Sequence, residues 1–307
     1  MRVIPPVVVN DADLTASNVP ENDFPEWDID TTYAADGRVI STTTHSIYQS
    51  VAGGNIGNDP TDPANVVSTA NPGGTWIYVS KTNRWRAFDG RNSAKTRQSG
   101  SITYDITVTR TSDIIAFMGV EAISIRVQVI NADLSSAYDV TRDMLDTTEI
   151  TTFFGYFTFA VDTYSRSALF YGIPAFPGTT LRITIDAGGG TAGVAIIGFG
   201  RRKIIGTMLS GTTPGIIDFS SKEVDEFGNF VVIERAFSKT VSFNVAFPTS
   251  AYVSISRALE LLRATPAIYY EDEDLTHDLI TLGFYTDFSP PLAVNTTLAT
   301  IEITGVI

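Results

Sequence analysis

The segment that decides the interpretation of this chain runs from Thr31 to Asp89 and reads TTYAADGRVISTTTHSIYQSVAGGNIGNDPTDPANVVSTANPGGTWIYVSKTNRWRAFD. Tyrosine and tryptophan recur in a background rich in Gly, Asn, Asp and Thr. Turn signals separate the short apolar runs, at Asp36-Gly37, at Gly53-Gly54-Asn55 and at Asn71-Pro72-Gly73-Gly74. The pattern predicts a very small, aromatic-rich sheet over residues 31–95.

The rings of this predicted module permit two roles. Flat aromatic rings bind the apolar C–H faces of sugars, while nearby polar side chains bind the hydroxyls. A unit of this size buries little core, so the same rings could form its interior. Trp76 and Tyr78 are two positions apart and share one face of a strand, which leaves both roles open. The candidate carbohydrate-binding residues are Trp76, Tyr78, Tyr48 and Trp85.

The order of motifs in this module also carries a family resemblance. Thr31-Thr32-Tyr33, Val39-Ile40, Ile47-Tyr48-Gln49-Ser50, Gly54 to Pro60, Trp76 and Thr82 to Asp89 occur in sequence. This arrangement resembles a module of tail and baseplate proteins of tailed bacteriophages, which is itself similar to small chitin- and cellulose-binding modules. Family members often have Gly-Asp before the Val-Ile strand, where this chain has Asp36-Gly37-Arg38.

A second resemblance lies near the other end of the chain. Gly215 to Ser220, Asp225 to Asn229, Glu234-Arg235 and Arg263 to Pro266 resemble the C-terminal part of the same tail proteins. One helix on a sheet sandwich is also similar to the domain of distal tail proteins that closes into a ring around the tail axis. The resemblance implies that copies of the chain assemble with one another.

Composition limits the alternatives. The chain has 307 residues, 43% of them hydrophobic, a formal net charge of −13 and no cysteine. This length accommodates two or three domains. The acidic balance argues against nucleic acid and against anionic membrane surfaces, and no apolar run is long enough to span a bilayer. The start, Met1 to Pro6, does not read as a secretion signal.

Residues 1–30 are predicted to be an N-terminal arm and linker. The arm is an apolar strand, and its candidate assembly residues are Val3, Ile4, Val7, Val8 and Val9. An arm of this kind could add to the sheet edge of a neighbouring molecule, or it could pair within its own chain. The sequence leaves these two arrangements open.

The remaining two thirds of the chain are predicted to be mainly β. Residues 96–205 contain period-two runs such as Ile102, Tyr104, Ile106 and Val108, which predict an antiparallel sandwich or jelly roll. A further strand is expected at Phe153 to Val161. Residues 206–307 predict a small α+β unit, with one helix at about 250–263 that ends before Pro266.

Catalytic signals are weak, and the chain is expected not to be an enzyme. His45 lies among threonines, and His277 follows the acidic run Glu271 to Asp274, which lacks the spacing of a calcium loop. No cofactor or metal is implied. The dense basic cluster Arg201-Arg202-Lys203 is expected at a domain boundary, paired with acidic groups of this chain or of a neighbour.

The two resemblances imply a structural virion protein of a phage tail tip or baseplate, assembled in the host cytoplasm, and the composition is consistent with this expectation. Its expected partners are copies of itself and other tail proteins, with a host surface glycan as a further contact through the aromatic module, and no nucleic acid or membrane insertion. The alternative is a lectin-like receptor-recognition protein. A third hypothesis is a glycoside hydrolase with an appended binding module, which would need two carboxylates across a sugar.

Overall fold

Strands dominate the architecture of this protein. The computed structural model describes residues 1–145, 152–158, 165–224, 226, 228–235, 237–271 and 279–306. The predicted mainly β class is confirmed. The first strands are β1 Arg2–Ile4, β2 Leu14–Ser17, β3 Arg38–Ser41, β4 Ser46–Ser50, β5 Trp76–Lys81, β6 Thr96–Thr107, β7 Ser112–Met118, β8 Ser124–Ile130, β9 Ser136–Asp143, β10 Ser167–Ala175, β11 Thr180–Val194 and β12 Ile196–Gly200.

The remaining elements complete the chain. The strands are β13 Lys203–Ile204, β14 Thr207–Met208, β15 Thr213–Asp218, β16 Ser221–Val224, β17 Phe230–Ile233, β18 Phe237–Pro248, β19 Ala267–Tyr270, β20 Ile280–Tyr285 and β21 Thr296–Gly305. Two α-helices, α1 Phe153–Thr158 and α2 Tyr252–Leu261, are accompanied by short 3-10 turns at Pro63–Asn65, Arg86–Phe88 and Thr249–Ala251. Within the described residues, neither helix is long and apolar enough to cross a membrane.

The predicted sandwich consists of a five-stranded and a three-stranded antiparallel sheet. The strand orders are β2-β6-β11-β8-β9 and β10-β7-β12. Alternate side chains of β6 point into the core between them, so Ile102, Tyr104 and Ile106 are all buried, as their period-two spacing predicted.

The three-stranded sheet is covered on both faces. Ile115 and Phe117 of β7 pack toward the five-stranded sheet, whereas Ile114, Ala116 and Met118 pack toward strands β1, β19 and β20. Double burial explains why β7 reads as a continuous apolar run rather than as an alternating one. The middle and C-terminal parts of the chain therefore form one stack of sheets that shares a layer.

The C-terminal sheet follows the order β13-β1-β19-β20-β21-β18-β14. Its two ends are joined by residues 203–208, which pair with β1 through Lys203–Ile204 and with β18 through Thr207–Met208. The sheet thus curls on itself. Helix α2 covers its inner face with Ile255 and Leu259, and these residues, together with Leu262 just after the helix, pack against alternate residues of β18 and β21. The helix lies within the predicted 250–263, and Ala264 follows it with a φ of 57°.

The N-terminal arm is part of this curled sheet. Strand β1 lies between β13 and β19 of its own chain, and Val3 and Ile4 are fully buried. Val7 donates its N–H to Phe199 O at 2.9 Å, and Val7 and Val9 pack on the sandwich core, while Val8 is exposed. Of the two arrangements that the sequence left open, the structure has pairing within the chain, because both edges of β1 are occupied by its own strands. The assignment of Val3 and Ile4 as assembly residues is therefore corrected to a role in the chain's own core.

Another difference concerns the segment expected to be a strand at Phe153 to Val161. Its described part is the short helix α1. The acidic run beyond Glu271 and the second histidine, His277, lie outside the described residues.

Candidate functional site

The aromatic module is a three-stranded sheet, β3-β4-β5, whose rings make its own core. Trp76 is 0% exposed, and its indole N–H donates to Asn58 O at 2.8 Å. The ring of Tyr33 meets that of Trp76 edge-on, with centroids 5.2 Å apart. Tyr48 is 6% exposed and Trp85 is 5% exposed. A buried ring presents no face to a sugar, so the carbohydrate-binding assignment of these three rings is corrected. Trp76 and Tyr48 belong to the core of the module, and Trp85 is buried against His45 and Phe88.

Tyr78 is the one candidate ring of the four that keeps substantial exposed surface. It is half-buried, faces Tyr48 edge-on at 6.2 Å, and carries the guanidinium of Arg91 at 5.4 Å from its ring centroid. Burial raises the pKa of the Tyr78 hydroxyl, with a smaller opposing effect of Arg91. Because Arg91 lies over the ring, Tyr78 does not form an open platform with a second ring.

The Thr82 to Asp89 motif joins the module to the linker that precedes it. Thr82 donates its hydroxyl to Glu21 Oε1 at 2.8 Å, and Asn83 N–H donates to Asp23 Oδ2 at 3.0 Å. Arg86 pairs with the same Asp23 carboxylate at 3.1 Å. Glu21 and Asp23 were not singled out from the sequence, because nothing near them in the chain reveals partners some sixty residues away.

The same motif also joins the module to the sandwich. Asn83 and Arg97 exchange two hydrogen bonds, from Asn83 Nδ2 to Arg97 O at 2.7 Å and from Arg97 N to Asn83 Oδ1 at 2.9 Å. Tyr104 OH donates to Arg84 O at 2.7 Å, and the Tyr104 ring meets Phe88 edge-on at 5.1 Å. The motif is therefore a three-way joint between linker, module and sandwich.

His45 belongs to this joint. Its Nδ1 lies 3.0 Å from Glu21 Oε1 and its Nε2 lies 3.3 Å from Asp11 Oδ1. The imidazole also lies against the Trp85 ring. Both ring nitrogens thus face carboxylates, which leaves neither of them directed at a hydroxyl nucleophile.

A small polar cluster lies at the edge of the joint. Burial lowers the pKa of Lys81, whose ammonium donates to Thr44 O at 2.7 Å. Burial raises the pKa of Asp89, and the N–H and charge of Arg91 offset part of that effect. Asp89 Oδ2 is buried and has no hydrogen-bond partner in the described part of the chain. Lys81 and Asp89 are both half-buried within the module.

A further unusual surface lies on a two-stranded extension that we call the ribbon, formed by the described residues of the segment 216–237. Strand β21 pairs with β18 from Thr240 to Pro248 only, so the ribbon continues beyond the curled sheet as the strand pairs β15–β18 and β16–β17. Its exposed apolar side chains are Ile216, Ile217, Phe219, Val224, Phe230, Val231, Val232, Ile233 and Phe237.

Both faces of the ribbon are apolar. Residues directly opposite each other in an antiparallel pair share a face. Val224 pairs with Phe230 on one face, and Val231 pairs with Glu223 on the other. The ribbon therefore exposes apolar surface on both of its faces. Packing of one face against its own chain would leave the other face exposed. The sequence predicted strands in this segment but gave no reason to expect that both faces of the ribbon would be exposed to solvent.

Comparison with known proteins adds no further assignment. Neither a scan against protein-family models nor a search of curated proteins finds a match to this chain.

Proposed function

We propose that this chain is a structural, non-enzymatic component of a phage tail tip or baseplate, and that it works by association of copies around the tail axis. The motifs of residues 31–89 and of the C-terminal part support the phage assignment by resemblance. The observation that carries the assembly role is the ribbon, with nine large apolar side chains exposed on its two faces.

The magnitude of the exposed surface favours association. Burial of one large apolar side chain contributes about 1.5–3 kcal/mol. Association of two proteins costs about 4–15 kcal/mol in lost freedom of motion. The side chains of the ribbon are already partly buried, so their further burial contributes an amount of the same order as that cost and favours association. An isolated two-stranded ribbon is also marginal in water, and contiguous exposed apolar patches mark interaction sites.

The rest of the molecule suits an assembly role. The base of the ribbon, where β15 pairs with β18, belongs to the C-terminal sheet, and β18 contributes to the core that this sheet forms with α2. The glycan-receptor alternative loses its main argument, because Trp76, Tyr48 and Trp85 are buried. Contact with a host glycan would depend on Tyr78 and its neighbours rather than on a ring platform.

The assembly role is tested by measuring the mass of the purified chain with light scattering. We expect a discrete oligomer for the unmodified chain and a monomer when residues 219–236 are replaced by a two-residue Asn-Gly turn. Leu134→Ser is the matched control, since Leu134 is a highly exposed residue in an unrelated turn and its loss should leave the oligomer intact. Circular dichroism checks that each variant keeps its β structure. A chain that stays monomeric at high concentration contradicts the proposal.

The tail-tip location is tested separately. A tagged copy of the chain, labelled with an antibody in electron micrographs of virions, should appear at the distal end of the tail. Label on the capsid, or virions that lack the tagged chain altogether, would overturn this part of the proposal.

A further inference from the structure

We propose that the ribbons of two copies pair through the outer edges of their β17 strands, Phe230–Ile233, as antiparallel neighbours in one four-stranded sheet. The strands of this sheet follow the order β16-β17 in one copy and then β17-β16 in the second. This inference rests on the proposed assembly function, and it names the strand through which copies make one of their contacts.

Strand β17 has a partner on one side only. It pairs with β16 along its whole length, and in the described part of the chain no strand pairs with its other side. An open strand edge presents a row of N–H and C=O groups that can pair with another chain, and proteins ordinarily protect such edges with charged side chains or proline. The residues of β17 are Phe, Val, Val and Ile, all of them exposed, so this edge carries neither protection.

The opposite edge of the ribbon is protected in both ways. Pro214 and Asp218 lie on β15, and Lys222 and Glu223 lie on β16. Consecutive residues of a strand point to opposite faces, so Lys222 and Glu223 place a charge on each face of β16. This difference between the two edges singles out β17 as the edge that is open to a further strand.

A second copy of the chain is the partner that this edge fits. Two identical strands in an antiparallel pair are related by a two-fold axis, so the same edge serves both copies. The formal net charge of −13 makes two copies repel each other overall, and contact through an uncharged strand places no like charges opposite each other. A two-stranded ribbon alone is marginal in water, whereas a sheet of three or more strands with an apolar face is stable.

The alternation of side chains selects the register of this pair. A two-fold axis perpendicular to the sheet keeps every residue on the same face in both copies. Residues directly opposite each other share a face, so the axis passes through a residue that opposes itself. With the axis at Val231, Phe230 lies opposite Val232 of the second copy. With the axis at Val232, Phe230 would lie opposite Glu234, so the register centred on Val231 is the one that places apolar side chains against each other.

The symmetry of the contact limits what it can build. A contact between two identical edges is isologous and closes at two copies. The ring of the proposed function therefore needs a further, different contact. Pairing of β17 joins copies two by two and does not set the number of copies around the axis.

Engineered disulfides test the register, because the chain contains no cysteine of its own. Val231→Cys, Val232→Cys and Val224→Cys are prepared as separate full-length chains and oxidised. Directly opposite residues have Cα atoms about 4.5–5.5 Å apart, within reach of a disulfide, whereas diagonal neighbours are roughly 7–8 Å apart. We expect a disulfide-linked dimer from Val231→Cys alone. Val232 and Val224 are each 59% exposed and Val231 is 49% exposed, so random collision would instead favour the two controls.

A charge at the two-fold axis provides a second measurement. Val231→Lys places two ammonium groups opposite each other in the pair, so the mass of the oligomer by light scattering should fall by about half. Val224→Lys is the matched control, since it adds the same charge to the edge that is already charged, and it should leave the mass unchanged. Circular dichroism checks that both variants keep their β structure.

The outcomes separate this inference from the proposed function. An oligomer that Val231→Lys leaves unchanged, or cross-linking of Val231→Cys no greater than that of Val232→Cys, overturns the pairing of β17 and leaves assembly standing. A monomer for the unmodified chain overturns both. Selective cross-linking of Val231→Cys, together with the loss of mass in Val231→Lys, supports the pairing and its register.

Discussion

The imidazole of His45 lies nearly parallel to the indole of Trp85, with ring centroids 4.2 Å apart and planes inclined by 21°. His45 also bridges Glu21 and Asp11, so the stack ties the linker to the Thr82 to Asp89 motif. Replacement of His45 by Ala removes a stacked ring and a partly buried hydrogen bond. We expect a loss of about 1–3 kcal/mol in the free energy of unfolding, measured by chemical denaturation.

Backbone strain must be separated from this loss. His45 has a φ of 51°, which Ala tolerates poorly and Asn tolerates better. His45→Asn keeps the backbone conformation while removing the stacked ring, so it should lose stability as well, but less than His45→Ala. Two variants as stable as the unmodified chain would show that the stack contributes nothing to the joint.

The burial of Trp76 gives a second prediction. Trp76→Ala should destabilise the module by about 3–5 kcal/mol, because it opens a cavity in a core that has few other large side chains. Unfolding of the module is monitored through the fluorescence of Trp27 and Trp85 during chemical denaturation. Ile77→Ala is the matched control, since the neighbouring side chain is exposed and should change stability little. Equal stability of the two variants would contradict the core role of Trp76.

A third prediction concerns the contact between the middle layer and the curled sheet. A methyl group on Gly198 would overlap Cδ1 of Ile268 on the facing strand. Gly198→Ala should therefore cost about 1–3 kcal/mol of stability. Trimming the opposing residue with Ile268→Val should recover part of that loss, and a double-mutant cycle by chemical denaturation measures the coupling. Gly189→Ala, at a position with open space around it, serves as the control. Additive effects of the two changes would contradict the close approach.

The sequence predicted most strands because their apolar residues alternate over a single core. Ile102, Tyr104 and Ile106 are the plainest case, since each faces one interior. The boundary predicted between the middle and C-terminal units rests on local patterns. These patterns could not show that β1 and residues 203–208 pair with strands far away in the chain. Nothing in a local pattern specifies such partners, and a strand buried on both faces is ambiguous from periodicity alone.

The candidate site was harder to predict for a related reason. Ring spacing alone places Trp76 and Tyr78 on one face but does not say whether that face meets water. The small size of the module could have decided between the two roles, because a three-stranded sheet needs its largest rings to form a core. The exposed ribbon had no sequence signature, because apolar residues such as Val231 and Val232 look the same in a core and in an interface.

The last prediction concerns Asp89, whose buried Oδ2 has no hydrogen-bond partner among the described residues. Because burial raises the pKa of this carboxyl in the folded chain, ionisation of Asp89 weakens folding. The penalty is complete above the folded pKa and disappears below the ordinary value of 3.8. Asp89→Asn, which keeps an acceptor for the Arg91 N–H, should therefore be more stable than the unmodified chain at neutral pH, and the advantage should vanish in acid.

Asp139 provides a control of opposite sign for this prediction. Its two oxygens accept from Arg126 at 2.8 and 2.6 Å, and these hydrogen bonds lower the pKa of the Asp139 carboxyl. The ionised form is thus favoured by folding, so Asp139→Asn should reduce stability at neutral pH and have no effect below the folded pKa. Unfolding free energies of both variants across the acid range give two curves of opposite sign. If Asp89→Asn instead destabilises at neutral pH, the charge of Asp89 is a net attraction to Arg91, Arg86 and Lys81, and burial is not its dominant influence.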